Sequence, residues 1–137
     1  MAGTRRVQAL SADLDAAWRA VTSFSDPSVV IVKHLSPWGI ASADRLGDAY
    51  LAALASDPVS AYGGVVASNL PLDAETALEI KKLFVECIIC PGFPHDAREI
   101  LAEKKNLRLL DVPDLEIYPP YEYRSVNGGI LRQTIDR

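Results

Sequence analysis

Between Ser11 and Phe24 the apolar residues Leu14, Ala17, Trp18 and Val21 recur at intervals of three and four, the spacing that gathers side chains on one face of a helix. Ser11 or Asp13 suits its N-cap, and Asp26-Pro27 ends it. An unbroken β-branched run follows, Val29 to Val32, leading through Lys33 and His34 into a turn at Ser36-Pro37-Trp38-Gly39. A strand apolar at every position is buried on both faces, as in the interior of a parallel sheet. The alternation then repeats: a helix over Ala43–Ala55, a strand over Tyr62–Ser68 with Gly63-Gly64 at its head, and a helix over Asp73–Phe84 capped by Asp73. A strand over Glu86–Cys90, a helix over His95–Glu103 and a strand over Leu107–Leu110 complete the series. Helices alternating with apolar strands predict an α/β layered fold, a mixed, mostly parallel sheet with helices on its faces.

The texture changes after Asp111. Val112-Pro113, Asp114, Glu116 and Tyr118-Pro119-Pro120 read as a loop, and Tyr121–Val126 and Ile130–Ile135, joined through Asn127-Gly128-Gly129, predict a hairpin. The chain stops within or just past that last strand, as if cut.

With 137 residues the chain has the size of one domain. Its apolar fraction of 49% and charged fraction of 23% are those of a globular protein and exclude disordered and collagen-like classes. A net charge of -4 offers no broad attraction for nucleic acid or an anionic membrane, so any phosphate must be held by a local site. No apolar run is long enough to span a bilayer and no signal-peptide core follows Met1, which predicts a cytoplasmic protein. Cys87 and Cys90 have the C-x-x-C spacing of redox and zinc sites. On a strand, however, residues three apart face opposite ways, so they read as buried, reduced core cysteines.

Candidate chemistry lies at the strand ends. Lys33 and His34 together could stabilise an oxyanion and remove a proton, as addition to a carbonyl requires, or could simply be a polar strand end. Gly63-Gly64 permits close backbone approach to a ligand and equally suits a structural turn. Glu86 could bind amide or amine groups of a substrate or face water. These ends, with Pro91-Gly92, converge if their strands are neighbours. A zinc deaminase would need H-x-E and P-C-x-x-C; neither His34 nor His95 begins H-x-E, and the proline follows the cysteines. Gly-x-Gly-x-x-Gly and Walker A loops are absent.

Six collinear segments resemble the formyltransferase domain of the bifunctional purine-biosynthesis proteins that formylate AICAR (5-aminoimidazole-4-carboxamide ribonucleotide). They are Leu14–Val21, Val30–Gly39, Asp57–Ala67, Phe84–Phe93, Lys104–Leu110 and Arg124–Leu131, within a likeness running from about Ser11 to Gln133. The resemblance implies a cytidine-deaminase-like fold without a zinc site. It further implies transfer of a formyl group from the cosubstrate 10-formyltetrahydrofolate to AICAR, giving FAICAR, with no metal. By the same resemblance His34 assists removal of the amine proton and Lys33 stabilises the transition state, so both are catalytic, while His34, Gly63 and Glu86 contact AICAR. Trp38 departs from the cysteine or small residue usual before Gly39. The family's cyclohydrolase domain would precede Ser11 and a second deaminase-like half would follow Arg137. The chain is therefore expected to be the first subdomain, spanning residues 1–137, incomplete alone and paired in a homodimer or with a second half. A stand-alone nucleotide-binding or scaffold module is the contrasting expectation.

Overall fold

A computed structural model describes residues 2–114 and 119–135. The elements run α1 (Ala2–Thr22), β1 (Ser28–Lys33), β2 (Ser36–Ser42), α2 (Leu46–Ser56), α3 (Pro58–Ala61), β3 (Gly64–Ser68), α4 (Ala74–Lys81), β4 (Val85–Cys90), α5 (His95–Ala102), β5 (Arg108–Asp111), β6 (Tyr121–Val126) and β7 (Gly129–Thr134). Glu116 and Tyr118 of the predicted loop lie outside the described residues.

Five strands form one sheet in the order β2-β1-β3-β4-β5. β1 is antiparallel to both β2 and β3, whereas β3, β4 and β5 pair in parallel. The expectation that β1 lies parallel to its neighbours is thus corrected. Its burial comes from helices above and below and carries no information on strand direction. Val30 and Val32 pack with Ala17 and Val21 of α1 on one face. Val29 and Ile31 pack on the other with Leu46, Ala49, Tyr50 and Ala53 of α2, Ala77 and Ile80 of α4, and Ala97 and Leu101 of α5. The result is three layers, helix on sheet on helices.

The segment read as a turn, Ser36-Pro37-Trp38-Gly39, is the first half of β2. Proline is tolerated there because β2 is an edge strand. Gly39 is there for contact rather than for turning: an ideal Cβ on it would lie 2.8 Å from the Ala53 carbonyl carbon of α2, and closer still to its oxygen. α1 begins far ahead of the predicted cap, with Ser11 and Asp13 inside it, and no proline interrupts residues 2–10. Asp73 does cap α4, accepting from Thr76 N at 2.7 Å.

At the other edge of the fold, Asn69 is buried and ties three pieces together. Its Oδ1 accepts from Ser28 N at 2.9 Å, and its Nδ2 donates to Phe24 O and Asp26 O at 3.1 and 2.7 Å. Cys87 faces the α1 layer and Cys90 the opposite one. Both are buried free thiols, and burial pushes the Cys87 thiol from 9.0 up to about 11. β6 and β7 form a separate hairpin, with Val126 paired to Gly129, so that Asn127-Gly128 alone makes the turn. Among the described residues no helix is long and apolar enough to cross a membrane.

Candidate functional site

Because β1 runs against β3, its carboxyl end meets the amino ends of β3 and β4. Lys33 and His34, Gly63, and Glu86 therefore lie along one edge of the sheet. Pro91-Gly92 closes β4 at the opposite edge, so the expected convergence loses that member. The rule that chemistry gathers at carboxyl ends presumes strands that all run the same way, and β1 does not.

Two strands carry a one-residue bulge at this edge. The β1–β2 register passes from Ile31 opposite Gly39 to Val32 opposite Pro37, leaving Trp38 as the extra residue. The β3–β4 register passes from Gly64 opposite Val85 to Val65 opposite Cys87, leaving Glu86 as the extra residue. A bulge re-aims its side chain and bends its strand, and bulges concentrate beside active sites. Sequence reasoning missed both. The signal for the second was a mismatch in phase, since Val85 and Cys87 face opposite layers although they are two residues apart.

His34 and Leu35 form the two-residue connection between β1 and β2, with φ of 54° and 64°. Positive φ at both positions is the type I′ arrangement that suits a twisted hairpin and usually takes Asn-Gly. Histidine visits this region more readily than most residues, leucine rarely, and each costs about 1 kcal/mol or more. Two hydrogen bonds offset that cost. The Leu35 amide donates to Asp13 Oδ1 at 2.7 Å, and the indole Nε1 of the bulged Trp38 donates to Lys33 O at 3.1 Å. His34 itself is exposed.

The Lys33 ammonium donates to Tyr62 O at 2.7 Å. The next residue, Gly63, has φ of +76°, and an ideal Cβ on it would lie 3.9 Å from Lys33 Nζ and 3.5 Å from the Phe84 ring. Its amide donates to Phe84 O at 2.8 Å, and the Tyr62 and Phe84 rings lie 5.1 Å apart. Ser60 is engaged locally by the N-cap of α3: its amide and hydroxyl donate to Asp57 at 3.0 and 2.6 Å, which holds the Asp57 carboxyl below its ordinary value. A cleft of about 190 Å³ adjoins Phe84 and is lined also by Lys81, Lys104, Lys105 and Asn106. Lys81 pairs with Glu103. Glu103 lines the same cleft and offsets Lys81, so Lys104 and Lys105 are the lining cations that suit an anionic group. Among the described residues no three His, Cys, Asp or Glu side chains group as metal ligands.

The fold and this edge define an α/β layered protein whose polar strand ends meet at a doubly bulged sheet margin. Residues 10–137 match the model of the AICARFT/IMPCHase bienzyme family, and the chain belongs to that family. It is 50% identical over 125 residues to the bifunctional purine biosynthesis protein PurH of Petrotoga mobilis, covering 91% of this chain and 24% of the relative. To the PurH of Synechocystis sp. it is 46% identical over 126 residues, covering 90% and 25%. The chain thus spans about a quarter of the length of these relatives. Among solved structures, Acinetobacter baumannii RibD, form 1, superposes with a TM-score of 0.59 over 77% of this chain and 37% of that one. At 18% identity this likeness concerns the fold alone.

Proposed function

We propose that this edge takes part in formyl transfer from 10-formyltetrahydrofolate to AICAR, a step of purine biosynthesis, on a cytidine-deaminase-like fold. The observation that supports the reading is the meeting of Lys33, His34, Gly63 and Glu86 along one bulged margin in a member of this family. The AICAR amine attacks the formyl carbon, and the exposed imidazole of His34 takes the amine proton. The oxygen of the tetrahedral adduct gains negative charge beside the Lys33 ammonium, which gives one donor to Tyr62 O and has two more to direct at it. The bond to N10 of the folate then breaks, N10 takes a proton, and FAICAR and tetrahydrofolate leave. Gly63 holds a left-handed φ of +76° and puts no side chain between the nucleotide and the backbone, and Glu86 accepts from its amine or carboxamide. The remaining contacts of both substrates come from segments outside these 137 residues, in a homodimer or a paired second half in the cytoplasm.

The test is His34→Ala and Lys33→Met in the protein that carries this chain, with formyl transfer and FAICAR ring closure both measured. Each variant is expected to transfer at least about 100-fold more slowly with ring closure unchanged. Full transfer rates in both variants overturn the proposal, and loss of ring closure alone reassigns the edge to the cyclohydrolase activity.

A further inference from the structure

We infer that Asp13 is a positioning residue for His34, its carboxylate clamping the Leu35 amide and so fixing the left-handed turn that presents the imidazole. Asp13 stands at the head of the stripe that continues through Ala17 and Val21, both fully buried against the sheet. Residues four apart share one face of a helix, so Asp13 is a carboxylate on the apolar face of α1, where an apolar residue is the rule. The face passes the sheet margin at that point. The carboxylate finds there the backbone N–H of Leu35, 22 residues away in sequence, at 2.7 Å.

The hydrogen bond falls on the residue that most resists its own conformation. Leu35 has φ of 64° and is 60% exposed, so packing does little to hold it. Loss of the clamp lets the peptide between His34 and Leu35 rotate toward ordinary φ, and the imidazole swings with it. The helix that carries Asp13 is anchored in the core, so the turn is referred to the rigid part of the fold rather than to its own strands. What the site requires is an acceptor rather than a charge, and the Oδ1 of asparagine satisfies that requirement.

The rate consequence rests on the formyl-transfer reading; the clamp does not. In the protein that carries this chain, Asp13→Ala is expected to lower kcat for formyl transfer about 10-fold or more, with KM for both substrates within about 2-fold. Asp13→Asn is expected to restore kcat to within about 3-fold of the parent. Amide exchange by NMR reads the clamp directly, with Leu35 exchanging faster in Asp13→Ala and at the parent rate in Asp13→Asn. An unchanged kcat in Asp13→Ala, or an Asp13→Asn variant as slow as Asp13→Ala, overturns the positioning role. Unchanged Leu35 exchange in Asp13→Ala overturns the clamp itself. If His34→Ala transfers at full rate, the formyl-transfer reading is what has failed, and Leu35 exchange alone decides the clamp.

Discussion

Replacing Gly39 by alanine tests the contact that seats β2 on α2. The added Cβ would lie 2.8 Å from the Ala53 carbonyl carbon and 3.3 Å from its Cα, with the oxygen nearer still. Real Cβ atoms keep beyond 3.0 Å, so strand or helix must retreat by on the order of an ångström, as overpacked cores do. The helix has little room to yield, because Leu46, Ala49, Tyr50 and Ala53 are all buried against the sheet. Backbone displacement of this kind costs about 2–3 kcal/mol, toward the upper end for overpacked cores, or a fall in Tm of roughly 6–12 °C for a chain of this size. Urea unfolding followed by circular dichroism measures it, with Gly47→Ala as the internal comparison. Gly47 lies on the same helix, but its Cβ would meet Thr76 Oγ1 at an ordinary 3.5 Å. There the reduced freedom of the unfolded chain should raise stability by about 0.5 kcal/mol. A Gly39→Ala protein within about 0.5 kcal/mol of the parent would refute the reasoning, since an unperturbed fold cannot hold that atom.

Two further outcomes follow from buried polar groups. Asn69→Asp keeps an acceptor for Ser28 N but removes both donations, to Phe24 O and Asp26 O, and should cost about 2–4 kcal/mol at neutral pH. The loss shrinks as pH falls and the carboxyl regains a proton, which urea unfolding across pH would show. For Cys87 the thiol pKa rises from 9.0 to about 11 on folding because burial disfavours the thiolate. Above pH 9 the unfolded chain therefore binds fewer protons than the folded one, and stability falls between about pH 9 and 11 by on the order of 2–3 kcal/mol. Cys87→Ala should flatten that limb of the profile, and a profile unchanged by the substitution would contradict it.

The layers were legible in the sequence because they depend on which residues are apolar. The run Val29–Val32, the Asp73 cap and the Asn127-Gly128 turn each record a local preference that the fold keeps. Strand direction was not legible, since Val29–Val32 would be equally apolar in either orientation between two helical layers. Nor was β2, because Pro37 and Gly39 punctuate the sequence like a turn while serving an edge strand and a close helix contact. Lys33, His34, Gly63 and Glu86 could be picked out by residue type and resemblance. Their common edge follows from the reversed β1, and the aim of Glu86 and Trp38 from bulges that only pairing reveals. Asp13 read as a helix cap because its partner, Leu35, becomes a neighbour only once α1 lies across the sheet.

The dipeptide His34-Leu35 holds a place where Asn-Gly would make the easier hairpin. Under the proposed formyl transfer, selection for folding and selection for chemistry pull on the same two codons in opposite directions. On that proposal, the chain keeps a strained connection where the imidazole is needed for transfer. In a lineage released from that need, drift toward Asn-Gly would be downhill, and the sturdier protein would be the one that had lost its trade.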